Sequence, residues 1–210
     1  MEYNNIAYIS YLGGGIIFAT LAVTFAYLWQ QKKAHILLVV ASLASVSWAL
    51  AIAANSNNYT LSLPALILLE SIRYSCWIIA LLASINFSSG QRLPLQFTII
   101  IHGIWIISLG LTLTLISSQS PLVTNTNLLI WNSLILSILG LICVEQLYRN
   151  TRHNRLIKLL SVMIGALFVY DIYLFSYSLI FNLIEPTLWQ ARGAVNGAAA
   201  LVCALGSLAI

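Results

Sequence analysis

The chain has 210 residues, of which 60% are hydrophobic and only 7% charged, and its mean hydropathy is +0.94. An ordinary soluble domain carries about a quarter charged residues, so this is the composition of an integral membrane protein. The net charge of +4 does not mark a nucleic-acid binder, because the basic residues are dispersed over short loops rather than gathered on one amphipathic face.

A helix needs roughly 20 apolar residues to cross the hydrocarbon. The length therefore predicts an all-α polytopic bundle of about seven spans, with no room for a soluble domain of useful size. The first apolar run, from Ile6 to about Trp29, follows Glu2 and precedes Lys32 and Lys33. That order reverses the charge pattern of a signal peptide, and the run exceeds a signal core in length, so it reads as a retained first span. Polar breaks delimit spans at 6–29, 36–54, 65–87, 96–116, 128–148, 156–182 and 193–210. Pro64, Pro94, Pro121 and Pro186 all fall in the breaks, where a missing N–H does no harm. The glycine triplet at 13–15 lies inside the first span and suggests bending or close packing. No internal repeat or low-complexity tract is visible.

Loops on one side hold Lys32, Lys33, Arg92, Arg149, Arg152, Arg155 and Lys158, against Arg192 alone on the other. The positive-inside rule then puts the N-terminus outside and the C-terminus in the cytoplasm. The last span reaches Ile210 without a polar flank, which suggests a chain that continues.

Charges inside spans are the informative residues, since each costs about 2.5 to 3.5 kcal/mol at the centre of a helix on insertion scales. Glu70, Arg73 and Asp171 qualify. Glu70, Arg73, Tyr74 and Trp77 follow i, i+3, i+4, i+7 spacing and share one stripe of the third span. On the sixth, Tyr170, Tyr173 and Tyr177 occupy one face, with Asp171, Ser178 and Asn182 on the adjoining one. On the seventh, Arg192, Asn196, Ala199, Cys203 and Gly206 form a further stripe. At 1.5 Å per residue, Arg73 and Asp171 fall about 13 and 16 Å below the outer surface, Glu70 and Asn196 about 9 Å, and Arg192 near the rim. Asp171 and Glu70 are thus placed to neutralise Arg73 and Arg192. Two readings follow and are compatible: ion pairs that hold helices three, six and seven in register, or an outward-facing polar pocket that responds to a ligand.

Other residues carry less. His102 and Glu145 could share a depth but do not make a metal site, and His35 and His153 fall at the inner surface. Gly193 and Gly197 have the spacing that lets helices approach closely. Cys76, Cys143 and Cys203 lie in apolar segments without C-x-x-C spacing, as packing residues do. No lysine follows Lys158, which removes a retinal Schiff base; one intramembrane histidine makes bis-histidine haem a poor fit; a single aspartate excludes an intramembrane aspartyl dyad. Neither a G-x-S-x-G elbow nor a P-loop occurs. No catalytic, metal or cofactor residue is therefore assigned. A small-solute transporter is the alternative, although the spans lack the paired Pro or Gly breaks usual in such folds.

Three stretches, "LLESIRYSCWIIALL" (68–82), "GLICVEQLYRNTRHNRLIKLL" (140–160) and "VYDIYLFSYSLIFNLIEPTLWQARGAVNG" (169–197), together resemble the N-terminal membrane region of the PrsK family. These are sensor histidine kinases of the PEP-CTERM and exosortase system in Gram-negative bacteria. The most specific words are V-E-Q-L-Y-R-N-T at 144–151, Y-D-x-Y-L at 170–174 and L-W-x-A-R-G-x-V-N at 188–196. The resemblance covers most of the second half of the chain and part of the third span. It implies an inner-membrane sensor that continues through further helices to a GAF-like domain and a kinase core. ATP and Mg would belong to that core alone. The resemblance also implies a homodimer and a cognate response regulator acting on exopolysaccharide and PEP-CTERM protein genes. Residues 1–210 contain neither the phosphoacceptor histidine region nor the ATP-binding boxes, and His153 does not fill that role. The expectation is a sensory input segment with Glu70, Arg73, Tyr74, Trp77, Tyr170, Asp171, Tyr173, Tyr177, Arg192 and Asn196 as its candidate cluster. A passive membrane anchor is the plainer alternative.

Overall fold

The computed structural model describes residues 2–28, 35–58, 61–88, 95–117, 126–151 and 155–208. These form seven α-helices, with no strand among the described residues: α1 (Glu2–Leu28), α2 (His35–Asn58), α3 (Leu63–Ser88), α4 (Leu95–Ser117), α5 (Thr126–Asn150), α6 (Arg155–Phe181) and α7 (Pro186–Leu208). Lys32, Lys33, Arg92, Arg152 and His153, which bear on the predicted orientation, lie outside the described residues.

Helix is what the solvent demands, because in hydrocarbon every backbone N–H and C=O must be satisfied within its own segment. Buried hydroxyls follow the same constraint by bonding to the carbonyl one turn back: Ser42 to Leu38, Ser45 to Ala41, Ser84 to Ala80 and Ser161 to Ile157. α7 opens on Pro186, whose fixed φ suits a first helical turn. α6 stops at Asn182, which takes the left-handed conformation with φ 52° that asparagine tolerates better than most residues.

The outer surface is apolar. Ile9, Ile16 and Val23, seven residues apart on α1, are exposed, as are Val162 and Val169 on α6 and Val202 and Leu205 on α7. A soluble monomer does not present continuous apolar faces of this kind; lipid accepts them. Six helices are long and apolar enough to cross a membrane, while the corresponding described stretch of α4, Thr98–Thr114, is shorter. The chain is a polytopic membrane helix bundle.

α1 packs between α2 and α7, and the sequence of neighbours α2, α3, α5, α6 and α7 closes a ring of six, with α4 lying outside against α3 and α5. α3 also reaches across the interior, where the rings of Tyr74 and Phe168 stack at 6.0 Å. Side-chain pairings bring the starts of α1, α3, α5 and α7 and the ends of α2, α4 and α6 to the same end of the bundle. Toward the opposite end the interior is filled by Leu81, Ile85, Leu139, Leu147, Leu160 and Ile164 among others.

Where first and last helices meet, the backbones nearly touch. A Cβ on Gly14 would sit 2.7 Å from the Gly193 carbonyl oxygen, one on Gly193 would sit 2.7 Å from the Tyr11 nitrogen, and one on Gly197 would sit 3.0 Å from the Gly14 Cα. Small residues permit such approach, and close packing is a main source of helix affinity in lipid. Gly193→Ala is therefore expected to lower the thermal unfolding temperature in detergent, because backbone rather than a flexible side chain must yield. Gly13→Ala, with nothing within 4 Å of the added carbon, is expected to leave it unchanged.

Candidate functional site: a buried charge network

Four of the fourteen charged side chains converge on one point in the ring. Arg192 on α7 donates from Nε to Asp171 Oδ1 on α6 at 2.6 Å, and from both terminal nitrogens to the Glu70 carboxylate on α3. Arg73 donates from Nη2 to Asp171 Oδ2 at 2.8 Å and to Glu70 Oε1 at 3.1 Å. Two guanidiniums thus face two carboxylates and the group is neutral as a whole. Arg73, Asp171 and Arg192 are all but sealed, whereas the Glu70 side chain is 12% exposed.

Neutral donors complete it. Tyr74 gives its hydroxyl proton to Asp171 Oδ2 at 2.8 Å and accepts from Arg192 Nη2 at 3.0 Å. The Ser137 hydroxyl on α5 lies 3.1 Å from the same phenolic oxygen. Trp48 on α2 donates its indole N–H to Glu70 Oε2 at 2.6 Å, and its ring lies 4.0 Å from the Arg73 guanidinium carbon and 4.9 Å from that of Arg192. A cation over an indole face gains most where water is excluded. Glu70 therefore accepts four hydrogen bonds, which is what a carboxylate can take. Some polar atoms have no partner among the described residues: Arg73 Nε, both ends of the Asn196 amide, and the Ser207 hydroxyl.

The turn that carries Arg192 is held by three side chains, one from α6 and two from α1. Tyr170 donates to the Leu188 carbonyl at 2.7 Å, Tyr11 to that of Trp189 at 2.7 Å, and Ser10 to that of Gln190 at 2.6 Å. Ser10 Oγ also accepts from the Ala194 N–H at 2.8 Å. It therefore stands between a donor and an acceptor that a continuous α-helix pairs with each other, one of the recognised places for a helix to bend.

A cavity of about 160 Å³ lies beside the network, at the end of the bundle where α3, α5 and α7 begin. Leu66, Phe175 and Trp189 form part of its apolar wall, and Glu70, Ser71, Asn132 and Ser133 its polar part. Behind Ser71, a second polar group ties α4 to the ring: Ser108 donates to Asn132 Oδ1, and the Asn132 amide to Thr112 Oγ1 at 3.0 Å.

The candidate residues sort unequally. Glu70, Arg73, Tyr74, Asp171 and Arg192 meet directly. Arg192, expected near the rim, is fully buried, because α7 starts at Pro186, nearly two turns before the predicted span. Trp77 is buried but gives its N–H to Ser45 at 2.9 Å. Tyr170 holds the start of α7 rather than a charge. Tyr173 is exposed; it and Tyr177 make ring contacts with each other, and Tyr177 with Phe181, away from the network. Asn196 is buried one turn beyond Arg192, without a hydrogen-bond partner among the described residues. The buried stripe of α7 runs through Gly193, Gly197, Ala200, Ala204 and Ser207, in place of Ala199 and Gly206. His102 is exposed on α4, its Nδ1 2.7 Å from the Thr98 carbonyl oxygen, while Glu145 pairs with Arg149 at the surface. Trp48, Tyr11, Ser10 and Ser137 are participants that periodicity did not single out. Among the described residues no group of three or more metal-ligating side chains occurs.

No family model, curated protein or solved structure matches the chain.

Removing one partner of a buried pair strands the other charge, at a cost of about 3–5 kcal/mol. Asp171→Asn is expected to destabilise the folded bundle by that order, measured by reversible unfolding in lipid. Adding Arg73→Gln should recover part of the loss, since the double variant restores neutrality.

Proposed function

We propose that the chain is the membrane input segment of a sensor histidine kinase of the kind its sequence resembles, with the buried charge network as the element that changes state. One observation carries the reading: a neutral four-charge group joins α3, α6 and α7, and a cavity meets it at one end of the bundle. A network of this sort can trade partners without a change in net charge, because each guanidinium contacts both carboxylates. Such partner exchange is the kind of bistable repacking by which small shifts become helix movements.

The apolar filling toward the opposite end supports a sensor over a transporter, which needs alternate access to its polar site from both faces. The orientation inferred from loop charge is also strengthened, since Arg192, the lone basic residue assigned to the outer loops, is engaged inside. The cavity then faces outward, where an envelope signal arrives. Movement of α6 and α7 would reach the cytoplasm through their inner ends.

The test uses the full-length protein that carries this segment, with autophosphorylation and target-gene expression as readouts. Glu70→Gln keeps the size of the side chain and unbalances the network by one charge. It is expected to shift basal kinase output at least threefold at unchanged membrane abundance. Wild-type output from a correctly inserted Glu70→Gln protein would reduce the segment to an anchor, and solute uptake by reconstituted wild-type chain would favour a transporter.

A further inference from the structure

We propose that the cavity beside Glu70 is a binding site for a small neutral amphiphile, a single ring bearing a hydroxyl group. Size sets the first limit. An engineered protein cavity of about 150 Å³ lined by Leu, Ile and Phe takes up benzene, and this one has about 160 Å³. A single ring fits within that volume; a whole lipid tail exceeds it.

Charge sets the second. The network is already neutral, and the Glu70 oxygens are filled by Arg73, Arg192 and Trp48. A cationic or anionic ligand would arrive with no counter-charge to meet it, in a place where unpaired charge is costly. A neutral molecule brings no such penalty. The wall supplies both of its needs: apolar surface from Leu66, Phe175 and Trp189, and polar atoms at Asn132 and Ser133. Asn132 commits one amide N–H to Thr112 and keeps a second. A ligand hydroxyl can therefore bond on one side while its ring stays among carbon atoms, the usual division of labour in a small-molecule site.

The site has a route to the charges. Trp189 in the cavity wall and Arg192 in the network stand on the same turn of α7, the turn whose Gln190 carbonyl and Ala194 N–H both bond to the Ser10 hydroxyl. A ring packed against Trp189 presses on the segment that positions Arg192. This consequence rests on the sensory reading, whereas binding itself does not.

Binding is measured with 4-fluorophenol, titrated at pH 7 into the chain in phosphatidylethanolamine/phosphatidylglycerol nanodiscs and followed by fluorine NMR against empty nanodiscs. The expected result is one saturable site per chain above the linear partitioning of the lipid. Leu129, on the first turn of α5, also lines the cavity, and Leu129→Phe, which adds a ring there, should weaken binding about tenfold. Ser133→Ala, which preserves the space, should weaken it about threefold. Uptake equal to that of empty nanodiscs, or saturable uptake indifferent to both variants, overturns the site. Kinase output of the full-length protein is then read with and without the phenol. Saturable binding with unchanged output leaves the site standing and overturns its role as an input.

Discussion

The energetic fact on which this bundle depends is the cost of an unpaired charge in hydrocarbon, set against the absence of a hydrophobic drive between helices. Lipid tails are as apolar as leucine, so helices in a membrane are sorted by close packing and polar contacts. Here both occur in the same part of the molecule. The glycine seam of α1 and α7 fixes how near two backbones come. The charge network fixes the rotation and height of α3, α6 and α7, because a guanidinium has a planar fork that must meet its carboxylates squarely. Trp48 and Ser137 extend the same arrangement to α2 and α5, so five of the seven helices have a side chain in contact with it.

Bracing and sensing are often treated as rival explanations for intramembrane charges, yet this geometry joins them. A network that holds three helices in register is also one that transmits any change in its own bonding to those helices. The saturated Glu70 carboxylate argues for rigidity, and the unpartnered Arg73 Nε and Asn196 amide supply donors and an acceptor beyond those the present arrangement uses. The bundle thus contains a tightly made set of bonds beside a set of unused ones.

The helices were legible in the sequence because length, apolar runs and polar breaks are local properties; all seven overlap the predicted spans, with α7 starting seven residues early. The meeting of Glu70, Arg73, Asp171 and Arg192 was legible from the cost of unpaired charge, since charges of opposite sign in the same half of a bundle gain by finding each other. The depth of Arg192 was misjudged because the stretch from Pro186 to Gln190, polar enough to read as loop, forms a helical turn once hydroxyls from α1 and α6 take its carbonyls. Tyr173 and Tyr177 share the spacing of Tyr170, but periodicity identifies a face without saying whether it looks at protein or at lipid. Trp48 was invisible for the opposite reason: a lone indole in an apolar run gives no periodic signal, and its role arises from α3, twenty-two residues away.

Ring closure by α1 and α7 has a bearing on biogenesis. Glu70 and Arg73 enter the bilayer together, already balanced on one helix. Asp171 follows on α6, whose own cations, Arg155 and Lys158, stand more than three turns away at its other end, and a nascent chain that has inserted only that far holds one surplus negative charge in its interior. Arg192 resolves the imbalance on the next helix, after a connection of only four residues between Phe181 and Pro186. α6 and α7 are therefore suited to enter as a hairpin, the salt bridge between them made before either is committed to lipid. Only then can Ser10 and Tyr11, on α1, dock on the beginning of α7. α1, though made before α3, α6 and α7, is thus the last of these helices to be engaged by the polar interior.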